Sequence, residues 1–417
     1  MKSSEELNTT NSSFSIGLLG LYALLVCPFI IAYPKTDLAY YVTRFLQMIC
    51  VFVWGALQVK NGLRITLENK FFIYSIHTWW IFLIINTFLQ VPIRQFTQIY
   101  YWITIWNMLL IAKLYWNHDF TRHLYHIGVL FSFLVYLNTI LFILFPHGLW
   151  MDEEWLGTGD KTRYLFGNYN QTGIVGLISL LVWGIYTLKT GTGKRNLNWL
   201  MICNICVVTA MGSMTSTVGI LIICAYLLMY KRIKNPFRWI GIFFALYILF
   251  FIIIIWQGKT LANWPIFADF VVNVLHKNIT FSSRIYLWSN AVKLIMASPI
   301  IGYGAQNVEW MVKEIGGSGP HNIWLMILLE GGLVSLSLLI GLFIKLFKIS
   351  KQCNNTIGAL TAVCLAVLLL MSLFETYYII CIFFIMVIAY YTLNIEVDKK
   401  KHLEHIESKE PIEDKAS

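Results

Sequence analysis

Apolar runs separated by short polar or charged stretches organise the 417-residue chain. They lie near 14–33, 38–59, 71–91, 98–116, 124–146, 169–189, 197–212, 216–230, 238–256, 321–345, 356–374 and 376–395. A membrane-crossing helix needs about 20 mainly apolar residues, and most of these runs are near that length. The seventh and eighth are short and share the turn at 212–215, while the last two are joined by little more than Glu375. No strand-like alternation and no internal repeat break the series. The pattern predicts an all-α, polytopic membrane protein of about 12 transmembrane helices. Residues 1–396 are expected as one transmembrane domain, with a long, partly helical loop at 257–320 between spans nine and ten. Residues 397–417, charged and free of aromatics, are expected as a solvated tail.

Composition agrees with the pattern. Hydrophobic residues make up 58% of the chain and charged residues only 12%, against roughly 25% charged in soluble domains. The stretch at 14–33 shows no cleavage site and reads as an uncleaved first span. Cys203 and Cys206 form a C-x-x-C inside an apolar run without flanking ligands, which suits packing better than chemistry.

The net charge of +10 decides orientation and not a nucleic-acid partner, because the basic residues sit in short clusters between apolar runs. With both termini cytoplasmic, 21 of the 31 Lys and Arg residues fall on the inner side; five of the other ten lie in the 257–320 loop. Long loops hardly count in this rule. The expectation is a multi-pass cytoplasmic-membrane protein whose long loop is extracytoplasmic.

That loop carries a helical pattern. Ile285, Trp288, Ala291, Val292 and Ile295 recur on one face, Ser282 or Ser283 suits a cap, and Pro299 follows the end. An amphipathic helix on the membrane surface fits this spacing.

The most informative segment runs from Arg284 to Gly332. An Arg opens the amphipathic helix, Pro299-Ile300-Ile301-Gly302-Tyr303-Gly304 forms a P-x-x-G-x-G turn, and His321-Asn322 precedes a helix carrying Glu330-Gly331-Gly332. A second segment, Arg163-Tyr-Leu-Phe-Gly-Asn-Tyr-Asn170, pairs an Arg with Asn-x-Asn at the next helix. Together they resemble the O-antigen ligase and O-antigen polymerase superfamily of bacterial surface-polysaccharide enzymes. Tyr169 stands where that family usually has Pro.

The resemblance implies a glycosyltransferase that inverts the anomeric centre without a metal or cofactor. It would take a polyprenyl-diphosphate-linked oligosaccharide on the outer leaflet and pass the glycan to an acceptor hydroxyl. The residues suit that chemistry. Guanidinium groups stay charged and grip phosphate oxygens bidentately, so Arg163 and Arg284 suit a metal-free clamp for the departing diphosphate, the alternative being snorkelling or salt-bridged side chains. His321 is placed to take a proton from the acceptor or hold it, although a lone interfacial His is more often structural. The flexible approach at 316–320 would let the loop close over a bound glycan. Asn170, Asn322 and Tyr303 are expected to bind substrate. Arg44, about two turns into span two, is open between phosphate binding and snorkelling. Glu330, about 13 Å further along the helix, reads as a packing residue or loop anchor. His77 and Arg94 read as structural, and the acids Asp152, Glu153, Glu154 and Asp160 as solvated loop charges.

The leading expectation is a polymerase that joins lipid-linked repeats into a capsular, exopolysaccharide or O-antigen chain. A flippase and a chain-length regulator are its expected partners, with membrane lipid as its surroundings. A ligase to a lipid or protein acceptor shares the donor chemistry. A glycolipid flippase or transporter is the rival of different class, but transporters tend toward repeat symmetry and polar mid-membrane helices.

Overall fold

The computed structural model describes residues 45, 48–49, 70–91, 97–117, 119–151, 162–233, 236–256 and 284–407. The first expected span, nearly all of the second, Arg44, Arg94, the acids at 152–160, residues 257–283 and residues 408–417 lie outside them.

Helices form where the apolar runs lie. They are α1 (Lys70–Gln90), α2 (Thr97–Asn117), α3 (Phe120–Leu144), α4 (Gln171–Thr190), α5 (Lys194–Ala210), α6 (Met214–Met229) and α7 (Pro236–Phe250). A π-helical turn, Phe251–Trp256, extends α7. After the undescribed part of the long loop come α8 (Arg284–Ala297), α9 (Val308–Ile315), α10 (Ile323–Cys353), α11 (Thr356–Ser372) and α12 (Ile379–Glu407). Six of these helices are long and apolar enough to cross a membrane, and α6 and α11 are shorter apolar helices. Large apolar side chains such as Leu89, Ile143 and Leu228 remain exposed on the bundle, which suits lipid as the surrounding solvent. The chain is an all-α integral membrane protein.

Short polar residues set the helix ends. Asp119, Asn322 and Asn355 accept backbone N–H bonds at the starts of α3, α10 and α11, satisfying donors that a helix start leaves open. At the centre, Trp79 and Trp80 meet edge to face and both pack on Phe383. The Trp79 indole donates to the Ser335 carbonyl at 3.1 Å, tying α1 to α10. His77 has the expected structural place: its Nδ1 accepts from Trp102 at 3.1 Å and its ring stacks on Trp106.

Four local features differ from the sequence reading. First, a two-residue hairpin pairs β1 (Trp150–Met151) with β2 (Thr162–Arg163); strands this short leave no alternation to read. Second, α12 runs to Glu407, so its helix continues through much of the expected tail. Third, α10 runs to Cys353 and breaks at Gly332, whose φ of 56° and ψ of −158° are not helical. Fourth, α8 does not lie free on a surface. It packs on α10 with Ile285, Trp288, Ala291 and Ile295 buried, while Val292 is half-buried.

The segment from α8 to His321 is a helical hairpin laid along α10. The Trp288 indole donates to the Pro320 carbonyl at 2.9 Å and the Asn290 amide to the Ile315 carbonyl at 2.9 Å, so descending α8 is fastened to the returning strand of chain. The approach to His321 is therefore held at two points. At the bottom, the P-x-x-G-x-G turn enters the break in α10. Backbone N–H groups of Tyr303 and Gly304 donate to the Leu329 and Glu330 carbonyls, and those of Leu333 and Val334 donate to Pro299 and Ile300. The Asn86 amide donates to both the Ile301 and Glu330 carbonyls, at 2.7 and 2.8 Å. Glu330 thus anchors the loop through its carbonyl.

Glycine is required at this junction. Gly302 and Gly332 both have positive φ. A Cβ on Gly332 would stand 2.2 Å from the Ile300 carbonyl oxygen, and one on Gly302 would stand 2.4 Å from that of Leu329. The family-like turn and the Glu-Gly-Gly stretch are two halves of one docking joint.

Candidate active site

The hairpin carries Arg284 at its upper end, where α10 begins. There Arg284 meets a residue from the linker between α11 and α12: its Nη2 donates to Oε1 of Glu375. The other oxygen of the same carboxylate, Oε2, lies 3.5 Å from Nδ1 of His321. Glu375 is nearly buried, while the Arg284 and His321 side chains are 21% and 33% exposed. One carboxylate therefore joins a guanidinium and an imidazole that an incoming molecule can reach.

His321 is held in an unusual backbone state. Among the described residues other than glycine, only His321 and Asn354 have positive φ, both 47°. Asn354 closes a helix, where that conformation is ordinary. His321 instead precedes a helix, and a residue kept in this region commonly marks a functional constraint.

The neighbouring Asn322 explains how the state is maintained. Its Oδ1 accepts from the Trp324 and Leu325 backbone N–H groups, and its Nδ2 donates to the Leu373 carbonyl at 2.8 Å. It is fully buried. Asn322 caps α10 and braces it against the end of α11, so its polar atoms face protein.

A second brace comes from α4. The Gln171 amide donates to the Thr376 carbonyl at 3.1 Å and accepts from the Tyr378 N–H at 3.2 Å, clasping the linker just after Glu375. Beside it, the Ser213 hydroxyl donates to Oδ1 of Asn170 at 2.8 Å and lies 2.8 Å from the Ser216 hydroxyl, and Ser216 stands 3.5 Å from the Tyr377 hydroxyl. Burial, with the Glu375 carboxylate adding to it, pushes the Tyr377 hydroxyl upward and keeps it neutral.

The remaining expected residues are placed as follows. Arg163 is buried on β2 and donates to the Thr162 carbonyl at 3.1 Å. Its hairpin leads into α4, whose first residue clasps the Glu375 linker. The Tyr303 hydroxyl donates to the Leu294 carbonyl at 3.0 Å, at the far end of the hairpin from His321. Arg284 and His321 are brought together; Tyr303 is not with them.

Glu375 is the residue that sequence reasoning missed, having treated it as a joint between spans. A signal was present: it is the only charged residue between Lys351 and Glu396, and a lone charge among membrane segments points to function. Gln171, Ser213 and Tyr377 carry no comparable signal, because their roles depend on helices far apart in sequence.

Residues 199–340 match the O-antigen ligase family model. The match supports the O-antigen ligase and polymerase superfamily suggested by the motifs. It takes in Arg284, the docking turn, His321 and Asn322, and it ends before Glu375. Arg163 and Asn170 lie upstream of the matched segment. No curated protein matches the chain. Among the described residues, no group of three or more His, Cys, Asp or Glu side chains is arranged to hold a metal ion.

Proposed function

We propose that the chain is a polysaccharide polymerase of the cytoplasmic membrane, acting on its outer face with both termini cytoplasmic. The donor is an oligosaccharide on a polyprenyl diphosphate, and the acceptor hydroxyl belongs to a second lipid-linked repeat. The observation that carries this reading is the shared carboxylate of Glu375 between Arg284 and His321.

In this reading His321 accepts the acceptor's proton as the hydroxyl oxygen attacks the anomeric carbon. The bond from that carbon to the diphosphate oxygen breaks, its electron pair leaves with the lipid diphosphate, and the anomeric centre inverts. Glu375 orients the imidazole through Nδ1, the role a carboxylate plays behind a catalytic histidine elsewhere. Arg284, anchored on one oxygen of Glu375, keeps further N–H groups of its fork for the leaving diphosphate. Arg163 supplies a second positive charge to the same oxygens. Asn322, Asn170 and Gln171 are positioning residues that hold His321 and Glu375, and Tyr303 helps to fasten the loop. A ligase would share every step up to the choice of acceptor hydroxyl.

The test uses the protein reconstituted with a synthetic polyprenyl-diphosphate-linked repeat as both donor and acceptor. Lengthened lipid-linked glycan and released polyprenyl diphosphate, in equal amounts, are the expected products. Movement of intact lipid-linked repeat across the bilayer without either product would instead identify a transporter.

A further inference from the structure

At the opposite end of the bundle from Glu375, α10 ends on Cys353 and α11 begins at Thr356. There the helices part around a cavity of about 980 Å³ lined by Tyr226, Tyr230, Lys351, Asn354, Lys400 and Lys401, among others. Glu404 is the only acid among its described lining residues. Lys400 lies 3.9 Å from Glu404 and donates to the Gln352 carbonyl at 3.4 Å. Lys351 and Lys401 therefore leave the chamber with a positive lining.

A second, apolar groove of about 440 Å³ continues from this chamber. The two share Tyr226, Ile233 and Pro236, and the groove runs between α6, α7 and α11 past Met229, Trp239, Phe243 and Val367. An apolar face on a membrane protein by itself only meets lipid tails. Its continuity with a lysine-lined, hydrogen-bonding chamber is the informative feature. A soluble phosphate compound would use the chamber alone, and a hydrocarbon would use the groove alone. Only an anionic amphiphile matches both polarities in one site. Lys residues next to membrane helices attract anionic headgroups, at about 1 kcal/mol each near the surface. The site also has a structural consequence. Of the α7 residues Pro236–Phe250 only Ile240 is buried, so an acyl chain between α6, α7 and α11 would add to the packing of a helix that the described residues leave largely uncovered.

We infer that this is a binding site for an anionic glycerophospholipid. The headgroup phosphate sits in the chamber between Lys351 and Lys401, and an acyl chain lies in the groove beside Trp239 and Phe243. The site is independent of the glycan chemistry at Glu375, and its test needs no transfer assay.

The full-length protein in neutral detergent is titrated with phosphatidylglycerol or phosphatidylcholine of equal chain length, and bound lipid is counted by native mass spectrometry. Phosphatidylglycerol is expected to be retained at least about tenfold better, and a K351Q/K401Q variant to lose that preference. A six-carbon-chain phosphatidylglycerol should bind about tenfold more weakly than the long-chain lipid, and excess glycerol 3-phosphate should not displace the latter. Equal retention of the two lipids would overturn the inference. So would an unchanged preference in the variant, or displacement by glycerol 3-phosphate, which would make this a soluble-phosphate site. All three lysines are exposed, and if the double variant does not fold, K351Q and K401Q are read singly.

Discussion

The Glu375 carboxylate lies 3.5 Å from Nδ1 of His321, so the linker after α11 reaches the residue that opens α10. Its other oxygen receives Arg284 from the open, upper end of the hairpin. Three segments distant in sequence thus meet on one side chain, and disturbing that side chain should disturb both the base and the clamp.

Replacing Glu375 with Gln removes the charge while keeping the shape. Breaking a fully buried ion pair costs about 3–5 kcal/mol. Arg284 is 21% exposed, so the expected loss is nearer about 1–3 kcal/mol, visible as a lowered Tm in detergent. Turnover per folded molecule should fall by about 10²-fold or more. Normal turnover in folded Glu375→Gln protein would remove Glu375 from the mechanism.

The clamp predicts that Lys is a poor substitute for Arg at positions 163 and 284. Charge is kept, but the planar fork is lost. Arg284→Lys and Arg163→Lys should each lower kcat/KM for the lipid-linked donor by at least about tenfold, equivalent to about 1.4 kcal/mol. Wild-type kinetics in both variants would refute a bidentate diphosphate contact.

Gly332→Ala tests the docking joint and not the chemistry. The added methyl would meet the Ile300 carbonyl oxygen at 2.2 Å in a backbone conformation with φ of 56°. Strain of that kind costs about 1–3 kcal/mol before any steric overlap, so the hairpin should detach from α10. Increased protease cleavage within 299–304, with loss of activity, is the expected outcome. Resistance equal to wild type would show that the turn does not need this glycine.

Orientation is tested by cysteine labelling on intact cells. A membrane-impermeant reagent should modify a cysteine at Lys313 and spare one at Lys400. The reverse pattern would put the Glu375 site in the cytoplasm, away from an outer-leaflet donor.

Much of this architecture was legible in the sequence because one physical requirement dominates it. Each described apolar run became a helix, since lipid leaves the backbone few other ways to satisfy its hydrogen bonds. Arg284 and His321 were legible through their motifs, and the structure brings them together. The packing of α8 on α10 was not legible, because an amphipathic face looks alike whether it meets lipid headgroups or another helix. Trp288, which fastens the hairpin to Pro320, reads from sequence as one more apolar position. Asn322 was read as a substrate ligand because cap and ligand use the same side chain at the same helix mouth. Glu375 stood out in the sequence only as a lone charge; its pairing with His321 needed the fold, because the packing of α11 against α10 carries its carboxylate there.

The most direct measurement is a double-mutant cycle on His321 and Glu375, read as turnover per folded molecule with a lipid-linked donor. The His variants must respect the positive φ at position 321, so His321→Asn, which tolerates that backbone, is compared with His321→Gln. Each single variant should lose about 10²–10⁴-fold. If imidazole and carboxylate act as a unit, the double variant His321→Asn/Glu375→Gln should be scarcely worse than either single variant. Losses that multiply, or near-wild-type turnover in His321→Asn, would contradict a Glu375-oriented base.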